Sequence, residues 1–230
     1  MPETDTLPVP RLPDRLRQSV GSGRDSRPPG TLSEVFAERS WDGAPTGFVL
    51  ASLVKEGGPG PLLWVQDRLS RREAGVPCQA GLPEVLAARG LLYLSVSRPV
   101  DVLWALEQGL SGAALGGVIG EIWGDPQVLD FTATKRLALR AEAQGLPCWL
   151  LRRGATAALS AARNRWRVSS LPSLPDADDI YAPGQALWKA ELFRSRWARP
   201  GTWVARAEPG LVLDHGIAAD GMGVPAEALA

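Results

Sequence analysis

Two apolar runs separated by one helical segment, within residues 116–152, constrain the fold more than any other feature of the chain. The first run extends from Val118 to Trp123, and the second extends from Cys148 to Leu151. Between them, Leu and Ala recur at positions 129, 133, 137 and 141, which places one apolar stripe along a helix. Strand, helix and strand at this spacing predict a βαβ unit, and such a unit requires a parallel sheet with both faces covered.

The ends of this helix are also marked in the sequence. Asp125 can cap the helix through its carboxylate, and Pro126 suits the first helical position because its missing N–H has no partner there. Gly145 can end the helix, and Pro147 prevents its continuation. Glu121 lies near the end of the strand before the helix, where open α/β sheets place ligand chemistry.

The other apolar patterns extend this unit into a larger sheet. We predict a short helix near Thr31 with Ser33 and Glu34 exposed, strands over 61–66 and 91–96, and helices over 47–56, over 83–89 and from Asp101. Partial alternation over 166–171, 187–193 and 202–206 predicts a closing antiparallel meander. The expected class is therefore α/β, a mostly parallel sheet flanked by helices and extended by antiparallel edge strands.

Length and composition limit the domain organisation. A chain of 230 residues suits one sizeable α/β domain, and a formal net charge of zero argues against a molecule built to coat nucleic acid or membrane. We predict a flexible arm over 1–30, a single domain over 31–206 and a loose tail over 207–230. With no signal peptide or membrane-spanning run in the sequence, we expect a cytoplasmic protein.

The sequence offers little material for catalysis. The two cysteines and the one histidine, His215, have no metal-ligand spacing, so we expect no metal and no cofactor. No G-x-S-x-G motif is present, and His215 lies in the predicted tail. Glu121 could hold a magnesium ion or a metal-bound water, but pairing with an arginine or capping a helix is the interpretation that we favour. We therefore predict no catalytic residue.

A sheet of this kind often binds a nucleotide, but the phosphate-binding motif is incomplete. The motif G-x-x-x-x-G-K-[ST] needs a lysine for the phosphates and a hydroxyl for magnesium, and none of the three lysines precedes a serine or threonine. Residues 40–47 supply Gly43, Thr46 and Gly47, but Pro45 removes an amide donor where a phosphate site needs one. An ordinary turn is the expected structure.

Arginine and tryptophan residues are interleaved between positions 163 and 203. This combination suits contact with phosphates and stacked bases, and it suits a protein interface equally well. A solvated strand face in an arginine-rich chain is the third interpretation. The candidate interaction residues are Arg163, Arg165, Trp166, Arg167, Trp188, Arg194, Arg196, Trp197 and Arg199.

Four segments, 61–75, 116–152, 160–170 and 188–203, together resemble the ImuA family of bacterial proteins, and the similarity covers roughly residues 31–206. The resemblance implies a RecA-like core that works with ImuB and an error-prone polymerase III alpha subunit. That assembly performs translesion DNA synthesis under SOS control and raises the mutation rate after DNA damage. RecA is a further expected partner; contact with DNA is expected to be indirect, and no membrane contact is expected.

On a RecA-like core, the segment from Asp42 to Gly47 takes the phosphate-loop position, with Thr46 near the hydroxyl position. Glu121 falls where the second ATPase motif carries its aspartate, and the pair Gln66-Asp67 falls near the strand end that carries the catalytic carboxylate of RecA. Because the lysine is missing, the resemblance does not carry ATP hydrolysis to this chain. We expect a non-catalytic accessory factor, with a divergent ATPase, a single-stranded DNA-binding protein and a SulA-like cell-division inhibitor as alternatives.

Overall fold

The computed structural model describes residues 30–112, 114–176, 178–179 and 181–214. In chain order its elements are β1 (Leu32–Ala37), α1 (Ala44–Glu56), β2 (Leu62–Gln66), α2 (Arg68–Ala74), α3 (Glu84–Arg89), β3 (Leu91–Ser95), α4 (Pro99–Gly109), β4 (Gly117–Trp123), α5 (Phe131–Gln144), β5 (Cys148–Arg153), β6 (Asn164–Leu171), β7 (Leu187–Ser195), β8 (Gly201–Glu208) and β9 (Gly210–Asp214). A 3₁₀ turn, Gln79–Gly81, precedes α3.

All nine described strands form one sheet in the order β3-β2-β4-β5-β1-β6-β7-β8-β9. The first six strands in this order run parallel, and β7, β8 and β9 continue the sheet in antiparallel pairs. This arrangement confirms the predicted α/β class with antiparallel strands at one edge. The predicted meander is confirmed, because β6 pairs antiparallel with β7 and β7 pairs antiparallel with β8. Strand β6 also pairs in parallel with β1 and so joins the meander to the parallel part of the sheet.

The first element corrects the prediction of a helix near Thr31. Residues 32–37 form the central strand β1, which pairs with β5 on one side and β6 on the other. Five of its six residues are buried, including Ser33 and Glu34, which were expected to be exposed. A short apolar run without clear alternation cannot be assigned to a buried helix or a buried strand from sequence alone. In this fold, pairing with β5 and β6 makes the segment a strand.

Helix α5 begins later than predicted. Its cap is Asp130, whose carboxylate accepts a hydrogen bond from the Ala133 N–H at 2.7 Å, and not the predicted Asp125. The Asp125 carboxylate instead accepts from the Thr156 N–H and hydroxyl, and so ties the loop after β4 to the loop after β5. The other end agrees with the prediction, because Gly145 ends the helix in the left-handed region with φ 63°.

Two apolar cores lie on opposite faces of the sheet. Helix α1 covers one face, where Phe48 meets Trp149 and Trp166 edge-on or tilted. Helices α4 and α5 cover the other, where Leu106 and Leu137 are fully buried. Within the described residues, no helix is long and apolar enough to cross a membrane.

The ordered sheet continues past the predicted domain boundary at residue 206. Strand β9, within the predicted tail, pairs with β8 and packs against α1. Ordered structure therefore extends to Asp214. The remainder of the predicted tail, 215–230, and the predicted arm up to residue 29 lie outside the described residues.

Candidate functional site

The residues at the predicted nucleotide position come together at the carboxyl end of the parallel sheet. The loop over 38–43 joins β1 to α1, Glu121 lies on β4, and Arg153 ends the neighbouring strand β5. Strand pairing sets Trp123 opposite Arg153 and Gln66 opposite Glu121. Because parallel strands end at the same edge, the side chains and the loop converge there.

The guanidinium of Arg153 fills the centre of this position. Its Nε donates to Glu121 Oε1 at 2.7 Å, and the side chains of this ion pair are only 6% and 2% exposed. Its Nη1 donates to the carbonyl oxygens of Ser40 at 3.0 Å and Asp42 at 2.6 Å, and its Nη2 donates to Thr46 Oγ1 at 2.8 Å. One side chain therefore joins two strands, the loop and the first turn of α1.

This geometry reverses the polarity of a phosphate-binding loop. Such loops direct backbone N–H groups at an anion, whereas here the carbonyl groups of Ser40 and Asp42 point at a cation. An arriving phosphate would meet those carbonyl oxygens and the Glu121 carboxylate. The position is arranged to hold a guanidinium, and the chain supplies that guanidinium itself.

The second oxygen of Glu121 is also engaged. Its Oε2 accepts from Gln66 Nε2 at 2.6 Å and from the Trp64 indole N–H at 3.3 Å. Gln66 Nε2 also donates to the Gly75 carbonyl at 3.1 Å, and Gln66 Oε1 accepts from the Tyr93 hydroxyl at 2.8 Å. The hydrogen bonds form one buried network from the loop to the edge strand β3, and a network of this kind favours one packing arrangement.

Asp42 fastens the loop to β6. Its carboxylate accepts from the Ala44 N–H at 2.8 Å and from the hydroxyl and N–H of Ser170 at 2.6 Å and 2.8 Å. Burial acts to raise the pKa of Asp42, but the hydrogen bonds from Ser170 and Ala44 and the charge of Arg153 outweigh it and hold that pKa below its ordinary value. Asp42 was expected only as the first residue of the phosphate-loop segment, and its contact with β6 was not predicted; its local signal in the sequence is the turn-forming Asp-Gly pair.

The remaining predicted nucleotide-site positions have structural roles in this fold. Gly43 precedes α1 with open space at its Cβ position, whereas a Cβ on Gly47 would lie 2.6 Å from the Trp188 ring. Asp67 is buried and caps α2, because its Oδ1 accepts from the Ser70 N–H at 2.7 Å. Thr46 is bonded to Arg153. Within the described residues, no group of three or more His, Cys, Asp and Glu side chains could hold a metal ion.

Three of the predicted interaction residues are buried, which corrects their assignment to a surface. Trp166 and Trp188 belong to the core under α1. Arg165 lies on the opposite face, where its Nε donates to Glu34 Oε2 at 2.6 Å. Neither the two indoles nor this guanidinium is available to a partner on the surface.

The other six candidates lie nearer the surface. Arg163 pairs with Glu142 of α5, and Arg167 pairs with Glu191 at 3.1 Å and stacks over the Phe193 ring. Arg194 donates to the Ser160 carbonyl at 2.8 Å. Arg196 and Arg199 are exposed, and Trp197 is half-buried. The role of these six residues in binding stays a prediction.

A second charged cluster lies on the α5 face and was missed in the sequence. Glu34, Arg165, Arg152 and Ser160 line a cavity of about 200 Å³. The Arg152 guanidinium donates to Asp125 at 2.9 Å. Burial lowers the pKa of Arg152, although the negative charges of Glu34 and Asp125 act to raise it. The cluster was missed because β1 was assigned to a helix, which placed Glu34 in solvent.

Comparison with known proteins gives a consistent relationship over most of the chain. No family model matches the chain. Two curated relatives, each called Protein ImuA and coming from the NA1000/CB15N and ATCC 19089 strains of Caulobacter vibrioides, are 32% identical to it over 178 residues. These alignments cover 72% of this chain and 68% of each relative.

Proposed function

The chain belongs to the ImuA family, and from that relationship we propose that it is a non-catalytic accessory factor of SOS-induced, mutagenic translesion DNA synthesis. Its proposed partners are ImuB and an error-prone polymerase III alpha subunit, with RecA as a third candidate, and its proposed location is the cytoplasm. Its contribution in this proposal is a folded surface that other proteins bind.

The observation that carries the non-catalytic part of the proposal is the Arg153–Glu121 ion pair at the nucleotide position. Removing one partner of a buried ion pair costs about 3–5 kcal/mol, because the other charge is left without compensation. A nucleotide would have to displace Arg153 from Glu121, from two carbonyl oxygens and from Thr46 before its phosphates could enter. The loop thus holds its shape without a ligand.

Co-purification tests the partner assignment. The full chain is mixed separately with purified ImuB, polymerase III alpha subunit and RecA, and complexes are detected by size-exclusion chromatography. We expect a stable complex with at least one of the three. If none of them co-elutes with the chain at concentrations of about 10 μM, where ordinary specific complexes are populated, the proposed function is wrong.

Single-stranded DNA binding is the second candidate function, and the exposed Arg196 and Arg199 beside the half-buried Trp197 favour it. Arginine beside an aromatic ring suits the backbone and bases of a single strand. Binding of this kind weakens steeply with salt, so titration of a labelled oligonucleotide at two salt concentrations separates the two functions. Wild-type affinity that falls with salt and with the double change Arg196→Glu and Arg199→Glu would favour direct DNA contact.

A further inference from the structure

The outermost strand of the parallel end of the sheet is exposed. Among the described residues, β3 pairs only with β2. Its Leu92, Tyr93 and Leu94 are 52%, 37% and 40% exposed. Edge strands are normally protected by charged side chains, prolines or bulges, and β3, with the sequence LLYLS, has no charge and no proline.

The backbone of β3 directs a defined set of groups outward. Both backbone groups of a residue in a parallel pair point to the same neighbour. The Gly90 carbonyl accepts from Leu62, and the Val96 N–H donates to Gln66, so the even-numbered residues face β2. The N–H and C=O groups of Leu91, Tyr93 and Ser95 therefore face the free edge. Only another polypeptide backbone supplies alternating acceptors and donors at that spacing.

The side chains beside this edge are apolar. Leu92 and Leu94 pair with Leu63 and Val65, so they share the face that α4 covers. Helix α4 packs over β4 and β2, and the two leucines remain about half exposed beside it. Tyr93 lies on the other face, and its hydroxyl is bonded to Gln66, which fixes β3 before any partner arrives.

We propose that β3 is a docking edge at which an extended, uncharged segment of a partner protein adds as a further strand of the sheet. Alternate apolar side chains of that segment would cover Leu92 and Leu94. A nucleic acid is disfavoured because the strand carries no cation. A second copy is disfavoured because a five-residue strand falls well short of the ~800 Å² per partner of a stable interface, whereas a flexible segment can follow the surface beyond the strand.

Amide hydrogen exchange of the full chain tests this mode of contact without the natural partner. The probe is a short synthetic peptide of alternating Val and Thr. We expect it to slow exchange of the Leu91, Tyr93 and Ser95 amides, because these donors gain acceptors. The same peptide N-methylated at the amides that face β3 should lose this effect, and N-methylation at the other amides should preserve it.

A matched pair of variants locates the site. Leu92→Lys adds a charge at the edge, and Leu139→Lys adds it at a leucine of equal exposure, 51%, on α5. We expect Leu92→Lys to weaken peptide binding about tenfold, the range of a moderate interface anchor, and Leu139→Lys to leave it unchanged. Circular dichroism of both variants checks that they fold.

Each other outcome overturns the inference. No protection by the peptide excludes strand addition. If the amides of Leu91, Tyr93 and Ser95 are already protected from exchange in the free monomer, the chain covers its own edge. If the chain forms a dimer that Leu92→Lys abolishes, a second copy covers the edge. The identity of the partner rests on the proposed function: if ImuB, polymerase or RecA binds but Leu92→Lys does not weaken that binding, this docking edge is wrong while the proposed function stands.

Discussion

Arg153 is the residue on which the account of the site depends most. It makes four hydrogen bonds, to Glu121, Ser40, Asp42 and Thr46, from a nearly fully buried position. A buried guanidinium is tolerated because every nitrogen has an acceptor and the nearest carboxylate is also saturated. In this fold a cation of the chain itself occupies the position where a RecA-like ATPase would bind phosphate.

We predict that Arg153→Met lowers the free energy of unfolding by about 3–5 kcal/mol, because it leaves the Glu121 carboxylate buried without its cation. The double change Arg153→Met with Glu121→Gln should recover part of that loss, since no buried charge then remains. Urea unfolding followed by tryptophan fluorescence measures both. The matched control is Arg136→Met: the Arg136 side chain is 53% exposed, and its ion pair with Glu107 should contribute less than about 1 kcal/mol.

Asp42 carries a prediction on acid stability. Burial acts to raise the pKa of Asp42, but hydrogen bonds hold that pKa in the folded chain below its ordinary value. The ionised carboxylate therefore stabilises the fold above the unfolded pKa of about 3.9, and this stabilisation is lost as the pH falls through the lower folded pKa. We expect Asp42→Asn to be less stable than wild type at neutral pH. The difference should shrink below about pH 4. A difference in unfolding free energy that grows toward acid pH would contradict this assignment.

At the scale of elements, the sequence was most informative where a pattern was long and bounded. The βαβ unit over β4, α5 and β5 was predicted because two apolar runs flank a helix with a clear stripe and a glycine end. Strand β1 was missed because both faces of a central strand are buried, which removes alternation. The predicted α5 cap, Asp125, lies five residues before the observed cap, Asp130. Asp-Pro is a strong helix-start signal when only the local sequence is considered, whereas in the fold the Asp125 carboxylate binds the loop at Thr156.

Pairing of Glu121 with an arginine was one of the two structural roles expected for it, but the sequence did not identify Arg153 as the partner. Sequence placed Asp42–Gly47 and Glu121 together through the resemblance, and the structure brings them to one edge. Arg153 was missed because its partners lie 32 to 113 residues away along the chain, and no local spacing encodes such a pairing. The same reason explains the buried Arg165, which pairs across 131 residues with Glu34.

The first turn of α1 gives a prediction at the element scale. A Cβ on Gly47 would lie 2.6 Å from the rigid Trp188 ring, whereas a Cβ on Gly43 would meet nothing within 4 Å. We expect Gly47→Ala to destabilise the fold by about 1–3 kcal/mol through overpacking and Gly43→Ala to change stability by less than about 0.5 kcal/mol. Thermal unfolding of the two variants checks this, and equal effects would show that packing on Trp188 does not decide the residue at position 47.

At the scale of the whole molecule, the sheet separates two kinds of surface. The carboxyl edge, where related α/β folds bind ligands, is closed by the chain's own ion pair and loop. Among the described residues, the β3 edge is unpaired and uncharged, and hydrogen bonds connect it to the network that starts at Arg153. The formal net charge of zero argues against a general electrostatic attraction for nucleic acid. This distribution suits a protein that acts through protein contacts.

Calorimetric titration of the full chain with magnesium-ATP tests whether Arg153 takes the place of a nucleotide at the carboxyl edge of the sheet. We predict no binding up to millimolar nucleotide, both for the chain alone and for its complex with whichever partner co-purifies. Glu121→Ala should not create or abolish a signal. Micromolar binding of magnesium-ATP by the wild-type chain that disappears in Glu121→Ala would contradict the account, because it would show that the ion pair opens and that Glu121 serves a nucleotide.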